Sequence, residues 1–104
     1  MQTAREGKEK LEFAAAVAEF LRYLKNYRQY SPRTVRSYGI DLQQFQEFLS
    51  ASSGAVPLPE EISRQQVLAW GLTLRGKKPL TIRRKYACLS SLYNFLQDLS
   101  YCKN

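Results

Sequence analysis

Val35, Tyr38, Leu42, Phe45 and Leu49 follow one another at steps of +3, +4, +3 and +4, and Phe48 widens the same apolar stripe. A helix gathers positions with this spacing onto one face and a strand does not. The spacing therefore predicts an amphipathic helix with Ser31 as its N-cap and Pro32 in the first turn, where a missing N–H costs nothing. The period recurs in three other places. Leu11, Ala14, Ala15, Ala18, Leu21, Leu24 and Tyr27, with Phe13, Val17 and Phe20 on the flank, predict an earlier helix from about residue 9 to 28. Val67, Trp70 and Leu74, with Leu68 and Leu72 beside them, predict a short third helix capped by Ser63 and stopped by Gly76. Ile82, Tyr86, Leu89, Tyr93 and Leu96, with Leu92 adjacent, predict a last helix from near Pro79 to about Ser100. The stretch "SASSGAVPLPEE" (50–61) reads as a loop. No segment alternates with period two, so the expected fold is all-α. A helical domain over residues 9–104 would follow a flexible N-terminus at 1–8.

The charge is segregated. Residues 20–40 hold Arg22, Lys25, Arg28, Arg33 and Arg36 and no acid, and residues 75–85 hold Arg75, Lys77, Lys78, Arg83, Arg84 and Lys85 and no acid. The net charge of the whole chain is +7, so the remainder is acidic on balance. Arg33 and Arg36 fall in the first turns of a helix whose dipole is already positive there, which is unfavourable for an isolated helix. Arginines so placed make sense if an outside anion repays the cost.

The last helix repeats the pattern. "SPRTVRSY" (31–38) and "KPLTIRRK" (78–85) each carry Pro, then Thr two places on, then a β-branched apolar residue, then Arg. The buried stripe leaves Arg33, Ser37 and Gln44 on the far face of one helix, with Arg36 beside them. On the other it leaves Thr81 and Arg84 outward, Lys85 on the flank, and Lys77 and Lys78 just ahead. Two basic, hydroxyl-bearing helix starts suit a phosphate backbone, and a helix fits the major groove of DNA better than the narrow groove of duplex RNA. Double-stranded DNA is therefore the expected partner, with Gln44 a candidate reader of adenine edges.

Other chemistries find little support. The chain has no His and only two cysteines, Cys88 and Cys102, so a zinc ligand set is not expected, nor any cofactor. Both cysteines are expected as free thiols. No apolar run approaches the ~20 residues of a membrane span, and the charged start "MQTAREGKEKLEF" lacks a signal-peptide core. The expected compartment is the cytoplasm, with no membrane partner. Tyr38, Tyr86 and Tyr93 lie on predicted buried stripes, and Trp70 sits at a helix–helix position. A Tyr nucleophile would need electrophilic partners and a general acid, and no such set is visible. No catalytic residue is expected. Asp41 is expected to pair with a neighbouring helix or face solvent, and Glu60 and Glu61 to favour the start of the third helix.

"FLRYLKNYRQYSPRTVRSYGIDLQQFQEFL" followed by "EISRQQVLAWGLTLRGKKPLTIRRKYACLSSLYNFLQDLSYCKN" resembles the N-terminal core-binding, SAM-like domain of tyrosine recombinases, the family of phage integrases and Xer-type enzymes. The resemblance implies a compact orthogonal bundle of four or five helices that closes over one face of a DNA duplex during integration or recombination. It implies DNA contacts from Arg33, Thr34, Arg36, Ser37, Lys77, Lys78, Thr81, Arg84 and Lys85. It also implies partners: a catalytic domain that lies outside this chain and performs strand cleavage, and neighbouring protomers. Where the family often has Ser before the second Pro, this chain has Lys78, which weakens the cap and adds charge. The alternative reading is a helical protein-interaction module without direct DNA contact.

Overall fold

The computed structural model describes residues 11–99. Over them the chain forms four α-helices: α1 (Phe13–Asn26), α2 (Pro32–Ser53), α3 (Arg64–Leu72) and α4 (Pro79–Asp98), with a 3₁₀ turn at Pro59–Glu61. No strand occurs among the described residues, as the all-α reading expected. The flexible start expected at residues 1–8 and the thiol of Cys102 lie outside the described residues.

Punctuation in the sequence sets the helix starts. Ser31 has an extended backbone and its hydroxyl accepts from the Thr34 N–H at 3.1 Å, with Pro32 opening the helix. Ser63 and Gln66 form a reciprocal box on α3: the Gln66 N–H donates to Ser63 Oγ and the Ser63 N–H donates to Gln66 Oε1. Glu61 accepts from the Leu58 N–H and so closes the 3₁₀ turn. Lys78 stands at the N-cap of α4 and offers no side-chain cap.

Aromatic contacts fix how the helices meet. Phe13 packs on Phe45 with centroids 5.8 Å apart and Phe20 stacks on Tyr38 at 6.5 Å, so α1 and α2 run antiparallel. Phe20 and Tyr23 reach Phe95 of α4 at 5.6 and 4.8 Å. Phe45 meets Trp70 at 4.8 Å, which seats α3 against the end of the core. Trp70 is buried as expected. Tyr93 seals the 3₁₀ turn by donating its hydroxyl to the Pro59 carbonyl at 2.6 Å.

Four sequence expectations are corrected. The buried stripe of α1 is Phe13, Ala16, Val17, Phe20 and Leu24, whereas Ala14, Ala15, Ala18 and Tyr27 are exposed. The alanines kept the period, but burying Phe and Val gains about 1.5–3 kcal/mol each and Ala far less, so the helix rotates the large side chains inward. The second correction concerns the end of α2, which runs to Ser53 and is stopped by Gly54 at φ 85°. The residues 50–53 placed in a loop are its last turn, held by Ser52 Oγ donating to the Phe48 carbonyl. Third, α3 ends at Leu72, and Leu74 enters the core from the turn beyond it, where Gly76 takes a φ of 88°. Leu68 and Leu72 are exposed. Fourth, Tyr86 is not core: it lies edge-on to Trp70 and its hydroxyl fills the space over Gly71, where a Cβ would overlap it. Among the described residues no helix is long and apolar enough to cross a membrane.

Candidate nucleic-acid interface

Helices α2 and α4 are joined by polar chemistry set into the edge of the core. Asp41 is fully buried on α2, three residues after Tyr38 and four before Phe45, and so on the stripe itself. Its carboxylate accepts from Arg84 Nε at 2.8 Å, Arg84 Nη2 at 2.9 Å and Lys85 Nζ at 2.7 Å. Lys85 Nζ also donates to Gln44 Oε1 at 2.6 Å. One turn away, Cys88 Sγ lies 3.6 Å from the Tyr38 carbonyl, to which it donates. Burial alone would raise the Asp41 pKa; the hydrogen bonds and charges of Arg84 and Lys85 outweigh it and hold the carboxyl below the usual Asp value. The bond to Asp41 in turn raises the Arg84 pKa. Burial, reinforced by the Asp41 charge, pushes the Cys88 thiol up to about 12.

Three of the expected outward residues therefore stand differently. Lys85 is buried, its side chain only 4% exposed, and its ammonium faces Asp41 rather than solvent. Gln44 is exposed, but its carbonyl oxygen is occupied by Lys85. Arg84 keeps 41% of its side chain exposed while two of its donors are engaged. Period placed these residues at the rim. A buried carboxylate drew the two cations to it because an unpaired charge there costs several kcal/mol. The sequence held a signal for this: Asp41 is the sole acid between residues 20 and 46, and it occupies an apolar-stripe position.

The remaining cations are free of this arrangement. Arg33, Arg36, Lys77 and Lys78 are exposed and make no ion pair among the described residues, while Thr34, Ser37 and Thr81 are half-buried beside them. Ser31 Oγ donates to Thr34 Oγ1 at 3.0 Å, which fixes both hydroxyls on the first turn of α2. At α4 no side chain caps the helix, so its first N–H groups remain available to an anion. Counting 1.5 Å per residue, Arg33 and Lys78 lie about 10–12 Å along their helices from the Asp41–Lys85 junction. The junction thus joins the two helices that carry the basic starts.

The tyrosines among the described residues are engaged in packing. Tyr38 is half-buried against Phe20 and Tyr30, and burial raises its pKa. Tyr93 donates to the Pro59 carbonyl, and Tyr86 lies edge-on to Trp70 with its hydroxyl over Gly71. Tyr27 is exposed and stacks on Tyr23, and Tyr101 lies outside the described residues. No group of three or more His, Cys, Asp or Glu residues able to hold a metal occurs among the described residues.

Comparison with known proteins matches residues 17–98 to the family described as phage integrase, N-terminal SAM-like domain. Curated relatives include the tyrosine recombinase XerC of Lacticaseibacillus casei, 36% identical over 89 residues that make up 84% of this chain and 30% of the relative. The tyrosine recombinase XerC of Chlorobaculum tepidum is 39% identical over 79% of this chain and 26% of its own length. That of Lactobacillus delbrueckii subsp. bulgaricus is 40% identical over 75% of this chain and 26% of its own length. The chain thus spans less than a third of the curated relatives it matches. No solved structure matches it. With the match covering most of the chain and the four-helix architecture in place, the chain belongs to the family of phage integrase N-terminal SAM-like domains.

Proposed function

We propose that this chain is the DNA-gripping helical domain of a site-specific tyrosine recombinase. It holds one face of a duplex while a catalytic domain, supplied by the rest of the parent protein, carries out strand exchange. The chain itself catalyses nothing. The observation that carries this reading is the pair of basic helix starts, Arg33 and Arg36 on α2 and Lys77 and Lys78 before α4, left exposed and, among the described residues, without carboxylate partners. Support comes from the family match and from relatives that are named tyrosine recombinases. Thr34, Ser37 and Thr81 add hydroxyl donors to phosphate, and Arg84 adds a partly engaged guanidinium. Lys85 acts from within, through Asp41, rather than by touching DNA. Phosphate contacts dominate, so affinity is steep in salt and shows little preference for sequence in the isolated domain.

A second reading has its own observation. Leu68, Leu72 and Tyr86 expose an apolar strip along α3 and α4, lining a shallow hollow with Ala69 and Gly71. A helical protein-interaction surface would use such a strip, and a neighbouring protomer in an assembly is a natural occupant. Titration of the ¹⁵N-labelled chain with duplex DNA at two salt concentrations separates the readings. Amide shifts confined to residues 31–44 and 77–88 and lost at high salt support the DNA-gripping domain. Absence of shifts with DNA, together with shifts at Leu68, Leu72 and Tyr86 on raising protein concentration, supports the interaction module instead.

A further inference from the structure

We infer that Asp41 is a positioning residue for Arg84, fixing the guanidinium so that its unused edge faces a DNA phosphate, with Lys85 cancelling the carboxylate's charge from behind. This rests on the DNA-gripping reading and goes beyond it by assigning work to two buried residues that touch no ligand.

The geometry supplies each part. Arg84 gives Nε and Nη2 to the two carboxylate oxygens at 2.8 and 2.9 Å, a side-on pairing that locks the plane of the fork. A guanidinium has five N–H donors, so three are left, two of them on Nη1. The side chain is 41% exposed, whereas Asp41 and Lys85 are sealed. Arg84 is thus half clamped and half open, in a helix start where Thr81 and Lys78 sit one to two turns ahead.

Charge explains why the third member is needed. A carboxylate that orients an arginine also cancels its attraction for phosphate. Lys85 Nζ sits 2.7 Å from the same carboxylate, on the buried side, and is itself steadied by Gln44 at 2.6 Å. One anion and two cations leave the cluster at +1, and the exposed member of the cluster is Arg84. A rigid donor fork loses less freedom on binding than a free side chain does. The arrangement therefore gives a pre-oriented cation without the loss of charge that ordinarily accompanies a salt bridge.

The test measures duplex affinity against salt for the full chain and its variants, alongside thermal melting. Arg84→Met should lower affinity about tenfold, as loss of a charged hydrogen bond does, and flatten the slope of log K against log salt by about 0.9. Lys85→Met should also lower affinity and flatten the slope, although Lys85 cannot reach DNA; a merely structural role would move melting alone. Asp41→Asn with Lys85→Met keeps the cluster at +1 but frees the guanidinium. In that background Arg84→Met should cost threefold or less. Equal cost of Arg84→Met in both backgrounds, or wild-type affinity for Lys85→Met, overturns the inference. A variant that fails to fold is replaced by a measurement on the wild type: the Arg84 Nε–H signal should stay protected from exchange as duplex is added. Loss of that protection overturns the inference too. Arg33→Gln with Lys77→Gln serves as the control. If it leaves affinity unchanged, the DNA-gripping reading itself fails. If it weakens affinity while the Arg84 cycle is additive, only the positioning role fails.

Discussion

Replacing Asp41 by Ala should be as damaging as truncating a core side chain of α2, and the damage should trace to Lys85 rather than to Arg84. The substitution removes the one anion facing two cations, whose side chains are 4% and 41% exposed respectively. Arg84 can turn its guanidinium to water, but the Lys85 ammonium keeps only Gln44. Breaking a buried pair on one side costs about 3–5 kcal/mol. A domain of this size has about 5–15 kcal/mol in all. With a urea m-value of about 2 kcal/mol/M, the midpoint should fall by roughly 2 M. Trp70, buried and unique in the chain, reports the transition by fluorescence. The decisive comparison is between double variants. Adding Lys85→Met to Asp41→Ala should restore about 2 kcal/mol or more, because the stranded ammonium is gone and an apolar chain fills its place. Adding Arg84→Met should restore little. Rescue by Arg84→Met equal to that by Lys85→Met would refute the claim that Lys85 is the buried member of the cluster.

Further outcomes follow from the same contacts. Because the Asp41 pKa is held below its unfolded value, its contribution to stability is present above about pH 3.9 and is lost as pH falls through the folded value; acid unfolding followed by circular dichroism should lose that component in Asp41→Asn with Lys85→Met. Cys88 is buried with its thiol pushed up to about 12, so in a Cys102→Ser background a thiol reagent at pH 8 should label it only after urea is added; prompt labelling of the folded chain contradicts this. Gly71→Ala should swing the exposed Tyr86 ring away from α3 at a net cost of about 1 kcal/mol or less, because Ala is also the better helix former, and Tyr86→Phe in the same chain should recover part of the loss.

Much of the architecture is written in local chemistry. Ser31 and Pro32, Ser63 with Gln66, and Pro79 mark helix starts because capping and a fixed φ act within four residues. The stripe of α2 is legible because Leu42, Phe45 and Leu49 are all large, and period and burial agree. In α1 they diverge: a run of alanines carries the period while Phe13, Val17 and Phe20 carry the burial energy, so the face was misassigned by about one residue's rotation. Tyr86 was misread for a related reason, since space over Gly71 admits a ring at the rim that spacing alone assigned to the core. The Asp41 cluster spans more than forty residues of chain. No local rule reaches that far, and only the isolated acid on an apolar stripe hinted at it. The basic starts of α2 and α4 were legible, but which cations stay outside was decided by that one carboxylate.

The most direct measurement is the salt dependence of duplex binding for the wild-type chain and for Arg33→Gln with Lys77→Gln, two exposed cations on different helices. With about five phosphates engaged, log K should fall against log salt with a slope of about −4 to −5. The double variant should melt as the wild type does and lose about 1.8 of that slope. An unchanged slope, or binding indifferent to salt in the wild type, would contradict a duplex held at these two helix starts.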